Sequence, residues 1–81
     1  MYDKMAVGYV LINVKPGMEL QAFEVINTKQ NVAAADLLFG DYDIIVKISA
    51  ENMGLIAKTV VEDIRQVEGV ENTKTLAGAE M

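Results

Sequence analysis

The sequence predicts an α+β domain in which four strands form one antiparallel sheet and two helices cover one of its faces. Three observations predict it. Four short apolar runs are bounded by Gly, Pro, Asn or Asp; two intervening stretches switch to apolar spacings of three and four; and the order is strand, helix, strand, strand, helix, strand.

The first strand runs from Ala6 to Val14, dense in β-branched and aromatic residues, and stops at Pro16-Gly17, a pair that strand interiors do not tolerate. Val7, Tyr9, Leu11 and Asn13 alternate with Ala6, Gly8, Val10, Ile12 and Val14, so both faces are largely apolar. A sheet with one wet face would alternate apolar with polar residues, so something other than water should cover each face. From Met18 to about Lys29 the spacing becomes helical, with Ala22, Phe23 and Ile26 on one stripe and Glu19, Gln21 and Glu24 toward solvent. After the polar break at Asn27 to Asn31, Val32 to Phe39 reads as a strand. Its alanines also suit a helix, but Gly40-Asp41-Tyr42-Asp43 and a further strand-rich run, Ile44 to Ile48, follow at once, which makes a hairpin. A second helix is expected from Asn52, as N-cap, through Gln66, with Ile56, Val60, Ile64 and Val67 as its apolar stripe and Gly69 as its stop. Val70 to about Ala77 closes the chain as a strand, Thr73, Thr75 and Ala77 alternating with Asn72, Lys74 and Leu76.

Right-handed crossovers place both helices on the same side, which is the ferredoxin-like βαββαβ arrangement. The other sheet face is then bare. Because the first strand is apolar on both faces and Ile45 adds to the bare one, a second copy of the chain is expected to cover it. Size points the same way: at 81 residues and 8.9 kDa a monomer buries only about 63% of its unfolded surface. No linker, repeat or composition shift divides the chain, so residues 1–81 are read as a single domain.

Composition removes most catalytic chemistry. Without Cys there are no disulfides or thiolates, and without His there are no imidazole bases, zinc-histidine sites or Ser/His/Asp arrangements. A net charge of −5 opposes phosphate backbones and anionic membranes, so no direct nucleic-acid or membrane partner is expected. No apolar run approaches a bilayer span and no signal peptide is evident, which reads as a cytoplasmic protein.

Gly40-Asp41-Tyr42-Asp43 is the most distinctive segment. It suits a plain polar turn, in which Gly takes positive φ and the Asp side chains bond nearby N–H groups. It equally suits a small-molecule contact: carboxylates accept an ammonium and turn N–H groups donate to a carboxylate, the two ends of an amino acid. A lone Asp-x-Asp has too few ligands to close a calcium site, so no metal and no cofactor are expected. Thr73 and Thr75 put two hydroxyls on one side of a strand, either as cross-strand packing or as hydrogen-bond partners for a polar ligand. The Val14 to Glu19 turn falls far short of a phosphate-binding glycine motif. Asp36 is either a buried charge or an edge residue, while Glu62, Asp63 and Glu80 read as solvated surface.

Four segments together, Ala6–Gly17 (AVGYVLINVKPG), Gly40–Ile48 (GDYDIIVKI), Ile64–Val70 (IRQVEGV) and Thr73-Lys74-Thr75, resemble the effector-binding (RAM) domain of the Lrp/AsnC regulators over about residues 5 to 76. The resemblance implies dimers formed through the sheets, assembly into rings, commonly octamers, and amino-acid binding between dimers. It implies a ligand-binding role for Gly40, Asp41, Tyr42, Asp43, Thr73 and Thr75. The tail beyond Leu76 is smaller and less β-branched than is usual there. Only Met1 to Met5 precede the first strand, which implies a stand-alone module without the helix-turn-helix, acting on transcription through association with full-length regulators rather than by operator contact. An ACT-like amino-acid-binding domain shares the element order and would bind near Lys15-Pro16-Gly17. A small dimeric α+β barrel enzyme would need polar groups converging in a pocket, and no such pair is evident in the sequence.

Overall fold

The computed structural model describes residues 5–79 and has the expected element order: β1 (Ala6–Val14), α1 (Glu19–Ile26), β2 (Val32–Leu37), β3 (Ile44–Ala50), α2 (Met53–Thr59) and β4 (Val70–Ala77). Glu80, expected as solvated surface, lies outside the described residues. The sheet order is β2-β3-β1-β4 with every neighbouring pair antiparallel, so β1 and β3 are central and β2 and β4 are edges.

The two faces of β1 separate as the alternation predicts. Val10, Ile12 and Val14 are buried beside Ile44, Val46 and Ile48 of β3, and Ala22, Ile26, Ile56, Val60, Ile64 and Val67 close over them from the helical side. Val7, Leu11 and Asn13 are half-buried and Tyr9 is exposed, together with Ile45, Lys47 and Ser49 on the opposite face. The core is built almost entirely from Ile and Val, whose branched side chains favour strands and fill the space beneath short helices.

Three boundaries differ from expectation, each for a local reason. α1 ends at Ile26 rather than near Lys29 because the chain tightens there: the Thr28 N–H donates to Val25 O and the Lys29 N–H to Ile26 O, both at 3.0 Å. β2 ends at Leu37 rather than Phe39. The Leu38 N–H donates to Asp43 O at 2.8 Å, which closes the connection early and leaves Phe39 outside the ladder, fully exposed. The second helix is regular only to Thr59 and continues as one π-helical turn, Val60–Ile64, closed by Arg65 N–H donating to Val60 O at 2.9 Å. Just before that turn the Thr59 hydroxyl donates back to Leu55 O at 2.9 Å and accepts from Asn31 Nδ2 at 3.0 Å, a hydroxyl pattern that loosens helices. The predicted apolar stripe stays buried throughout.

Asn52 is the expected N-cap: its backbone is extended and its Oδ1 accepts the Leu55 N–H at 2.9 Å. Asn52→Ala should lower unfolding free energy by about 1 kcal/mol, read as a shift in the urea midpoint with unchanged slope. Gly69, at φ +97°, ends the segment as predicted; the Lys15 N–H donates to its carbonyl at 2.8 Å and locks it to the turn after β1. Asp36 is an exposed residue of the edge strand β2 and not a buried charge.

Candidate functional site

The segment between β2 and β3 folds over one end of the sheet, and Asp43 fastens it there. Its N–H donates to Ile12 O at 2.9 Å, its carbonyl accepts from Leu38, and its carboxylate Oδ2 accepts the Val14 N–H at 2.7 Å. The Asp43 carboxylate thus takes over the ladder at the end of β1, where pairing with β3 stops at Ile12–Ile44. Asp41 contributes its backbone: Asn13 Nδ2 donates to Asp41 O at 2.7 Å, and Asn72 Nδ2 donates to Asn13 Oδ1 at 3.1 Å. A polar chain therefore runs from the hairpin across β1 to β4. Gly40 sits at φ +142°, a conformation that side chains rarely adopt, and lets the chain reverse beside exposed Asp41 and half-buried Tyr42.

The helix-side flank of this hairpin holds a cleft of about 270 Å³ lined by Glu19, Leu37, Leu38, Phe39 and Asp43. Its lining residues are two acids, one from α1 and one from the hairpin, and three apolar residues, of which Phe39 is fully exposed. Glu19 Oε1 also accepts the Gly17 N–H at 3.0 Å, which holds the side chain against the turn after β1. The cleft offers acceptors for a cation beside a surface for a hydrocarbon group.

Thr73 and Thr75 lie elsewhere. In the register of β4 with β1 they oppose Ile12 and Val10, which turns both hydroxyls to the helix side, while Asn72 opposes Asn13. Thr73 Oγ1 accepts from Arg65 Nε at 3.0 Å and lines, with Arg65, Val70, Glu71 and Asn72, a separate cleft of about 350 Å³. Thr75 is exposed and lines neither cleft. Of the six residues singled out from the sequence, the structure brings the four hairpin residues together and sets the two threonines on the opposite edge strand. The residues that do join the hairpin, Asn13, Asn72 and Glu19, were not singled out. Asn13, a lone amide ending an apolar strand, was the one visible signal.

Fold and site define a ferredoxin-like α+β domain with a polar hairpin end and an open sheet face. The chain belongs to the Lrp/AsnC ligand-binding-domain family, whose model matches residues 7–77. It is 32% identical to the uncharacterized HTH-type transcriptional regulator PF0250 of Pyrococcus furiosus over 93% of this chain and 54% of that protein, so it spans about half the length of this relative. Among solved structures it resembles TTHA0845 of Thermus thermophilus, with 26% identity, TM-score 0.89, and 95% and 96% of the two chains covered. AsnC of E. coli shares the fold at 18% identity and TM-score 0.86, covering 99% of this chain and 53% of that one. The chain is therefore a ligand-binding domain of a transcription-regulator family. Among the described residues no helix is long and apolar enough to cross a membrane.

Proposed function

We propose that the chain is a non-enzymatic, cytoplasmic sensor module that binds an amino acid at its hairpin end and assembles through its sheet face, acting on transcription by association with regulators of its own family. The observation that carries the reading is the cleft lined by the acids Glu19 and Asp43 together with Leu37, Leu38 and Phe39. An ammonium placed there meets two acceptors while an aliphatic or thioether side chain lies on the apolar wall. The N–H groups of Gly40, Asp41 and Tyr42 donate to no backbone acceptor among the described residues and suit the carboxylate end. A fold relative, NMB0573 of Neisseria meningitidis, was solved as an L-Met complex; at 12% identity and TM-score 0.80 it is compatible with an apolar amino acid in this fold and assigns no residue here. Gly40, Asp41, Tyr42 and Asp43 remain the proposed ligand-binding residues, with Glu19 added. Thr73 and Thr75 fit the site only if a second subunit brings their edge strand to the hairpin.

A thermal-shift screen of the twenty amino acids tests this directly, since a ligand at about 100 times its Kd stabilises the folded state by about 2.7 kcal/mol. An apolar amino acid should raise Tm, and Glu19→Gln, which keeps an acceptor for Gly17, should weaken its binding about tenfold or more. No shift with any amino acid at millimolar concentration removes the sensor reading.

A further inference from the structure

The end of the sheet away from the hairpin, where β1 begins and β3 and β4 end, holds a cleft of about 390 Å³ whose lining includes Met5, Val7, Tyr9, Lys47, Met53 and Gly78. Its size falls within the range of about 300–1,000 Å³ usual for small-molecule sites. Three of the large apolar side chains that the fold leaves exposed, Met5, Tyr9 and Met53, meet here, at 49%, 36% and 39% exposure. Lys47 is the one charged residue of the lining in a chain of net charge −5, and no Asp or Glu lines the cleft among the described residues. Strand register sets Lys47 opposite Tyr9, so a cation and a phenol stand side by side. The end of β4 is tied down beside them: the Gly78 N–H donates to Val7 O at 2.7 Å, and a Cβ at Gly78 would stand 2.8 Å from the same oxygen, so only glycine lets the two strands close this far.

We propose that this cleft binds a small apolar monocarboxylate that carries no ammonium group, such as a short branched fatty acid. The Lys47 ammonium takes the carboxylate, the Tyr9 hydroxyl donates to it, and the hydrocarbon chain lies on Val7, Met5 and Met53, whose unbranched thioethers adapt to its shape. The lack of an acid decides the class of ligand. An amino acid brought here would hold its ammonium near Lys47, a like charge, with no carboxylate partner in the lining. A second carboxylate would be desolvated against the apolar wall, which excludes dicarboxylates. The hairpin cleft has the reverse chemistry: Glu19 and Asp43 line it and no Lys or Arg does, so it suits an ammonium and repels a lone carboxylate. The two ends of the sheet thus sort small ligands by charge.

This site goes beyond the amino-acid reading and uses none of the hairpin residues. Tyr9 and Lys47 lie on the open face, so the test uses the wild-type chain in the assembly it forms. Its backbone amides are followed by two-dimensional NMR while isocaproate is added. Isohexanol, the same carbon skeleton without charge, and L-leucine, the same skeleton with an added ammonium, are the comparison probes. Isocaproate should shift the amides of Val7, Tyr9, Lys47 and Gly78, and the other two should reach the same shifts only at concentrations at least about tenfold higher. Lys47→Gln should weaken isocaproate binding about tenfold, whereas Lys74→Gln, which removes an exposed lysine outside the cleft, should leave it unchanged. No shift of these amides with isocaproate at about 10 mM, a concentration that fills sites of millimolar Kd, overturns the site. Equal losses in the two lysine variants overturn it as well, since attraction by net charge would then account for the binding. L-leucine acting here as strongly as isocaproate overturns the class of ligand. Shifts of the hairpin amides with L-leucine report on the amino-acid reading separately from each of these results.

Discussion

Ile12→Ala should lower the unfolding free energy by about 3 kcal/mol, within the range of about 2–5 kcal/mol found when a buried Ile becomes Ala. Ile12 is fully buried in the central strand, paired to Ile44 on one side and Thr73 on the other, so neither neighbour is free to collapse into the space. Its carbonyl also receives the Asp43 N–H, which couples the core to the hairpin. In a domain this small the loss is a large share of the total, since stabilities run at about 0.05–0.15 kcal/mol per residue. Urea unfolding followed by circular dichroism should show a lower midpoint or, in the limit, no folded baseline. Ile12→Val, which removes one methylene, should cost about 1 kcal/mol and keep the baseline measurable. If both variants match the wild type, Ile12 is not packed as the core requires.

Asp43→Ala should act more locally and almost as strongly. The part-buried Val14 N–H at the end of β1 would lose its acceptor at 2.7 Å, and an orphaned donor of this kind costs about 1–3 kcal/mol. Asp43→Asn retains a carbonyl oxygen at the same place and should recover much of the loss. Hydrogen exchange gives the decisive readout: the Val14 amide should lose protection in the Ala variant and largely keep it in the Asn variant, while amides in the middle of β3 change little. Equal protection in all three proteins would mean that Asp43 does not hold the hairpin. Because the same side chain lines the cleft with Glu19, loss of ligand binding in Asp43→Ala would mix positioning with contact, whereas Glu19→Gln separates them.

The hairpin motif was legible because its chemistry is local. Gly40 takes the positive φ expected of it, whereas the expectation that both Asp side chains bond nearby N–H groups holds only for Asp43, and there with a distant partner. The donor that Asp43 serves, Val14, lies 29 residues away and could not be read from the motif itself. The threonines show the converse. Their shared side of β4 followed from period two, but which side it was depended on the register against β1, and that register sends them toward the helices and Arg65.

The sequence by itself determined the six elements, the split of β1 into a buried and an open face, the helix cap at Asn52 and the edge between turn and strand at Gly69, because each depends on side-chain period or on bonds a few residues long. Only the tertiary structure decided that Asn13 and Asn72, 59 residues apart, carry the hairpin's polar chain, that Glu19 shares a cleft with Asp43, and that the second helix opens into a π turn beside Asn31. The physical reason is common to all three. Each is a meeting of groups distant along the chain, and such a meeting is set by strand register and helix packing, which the whole core decides together.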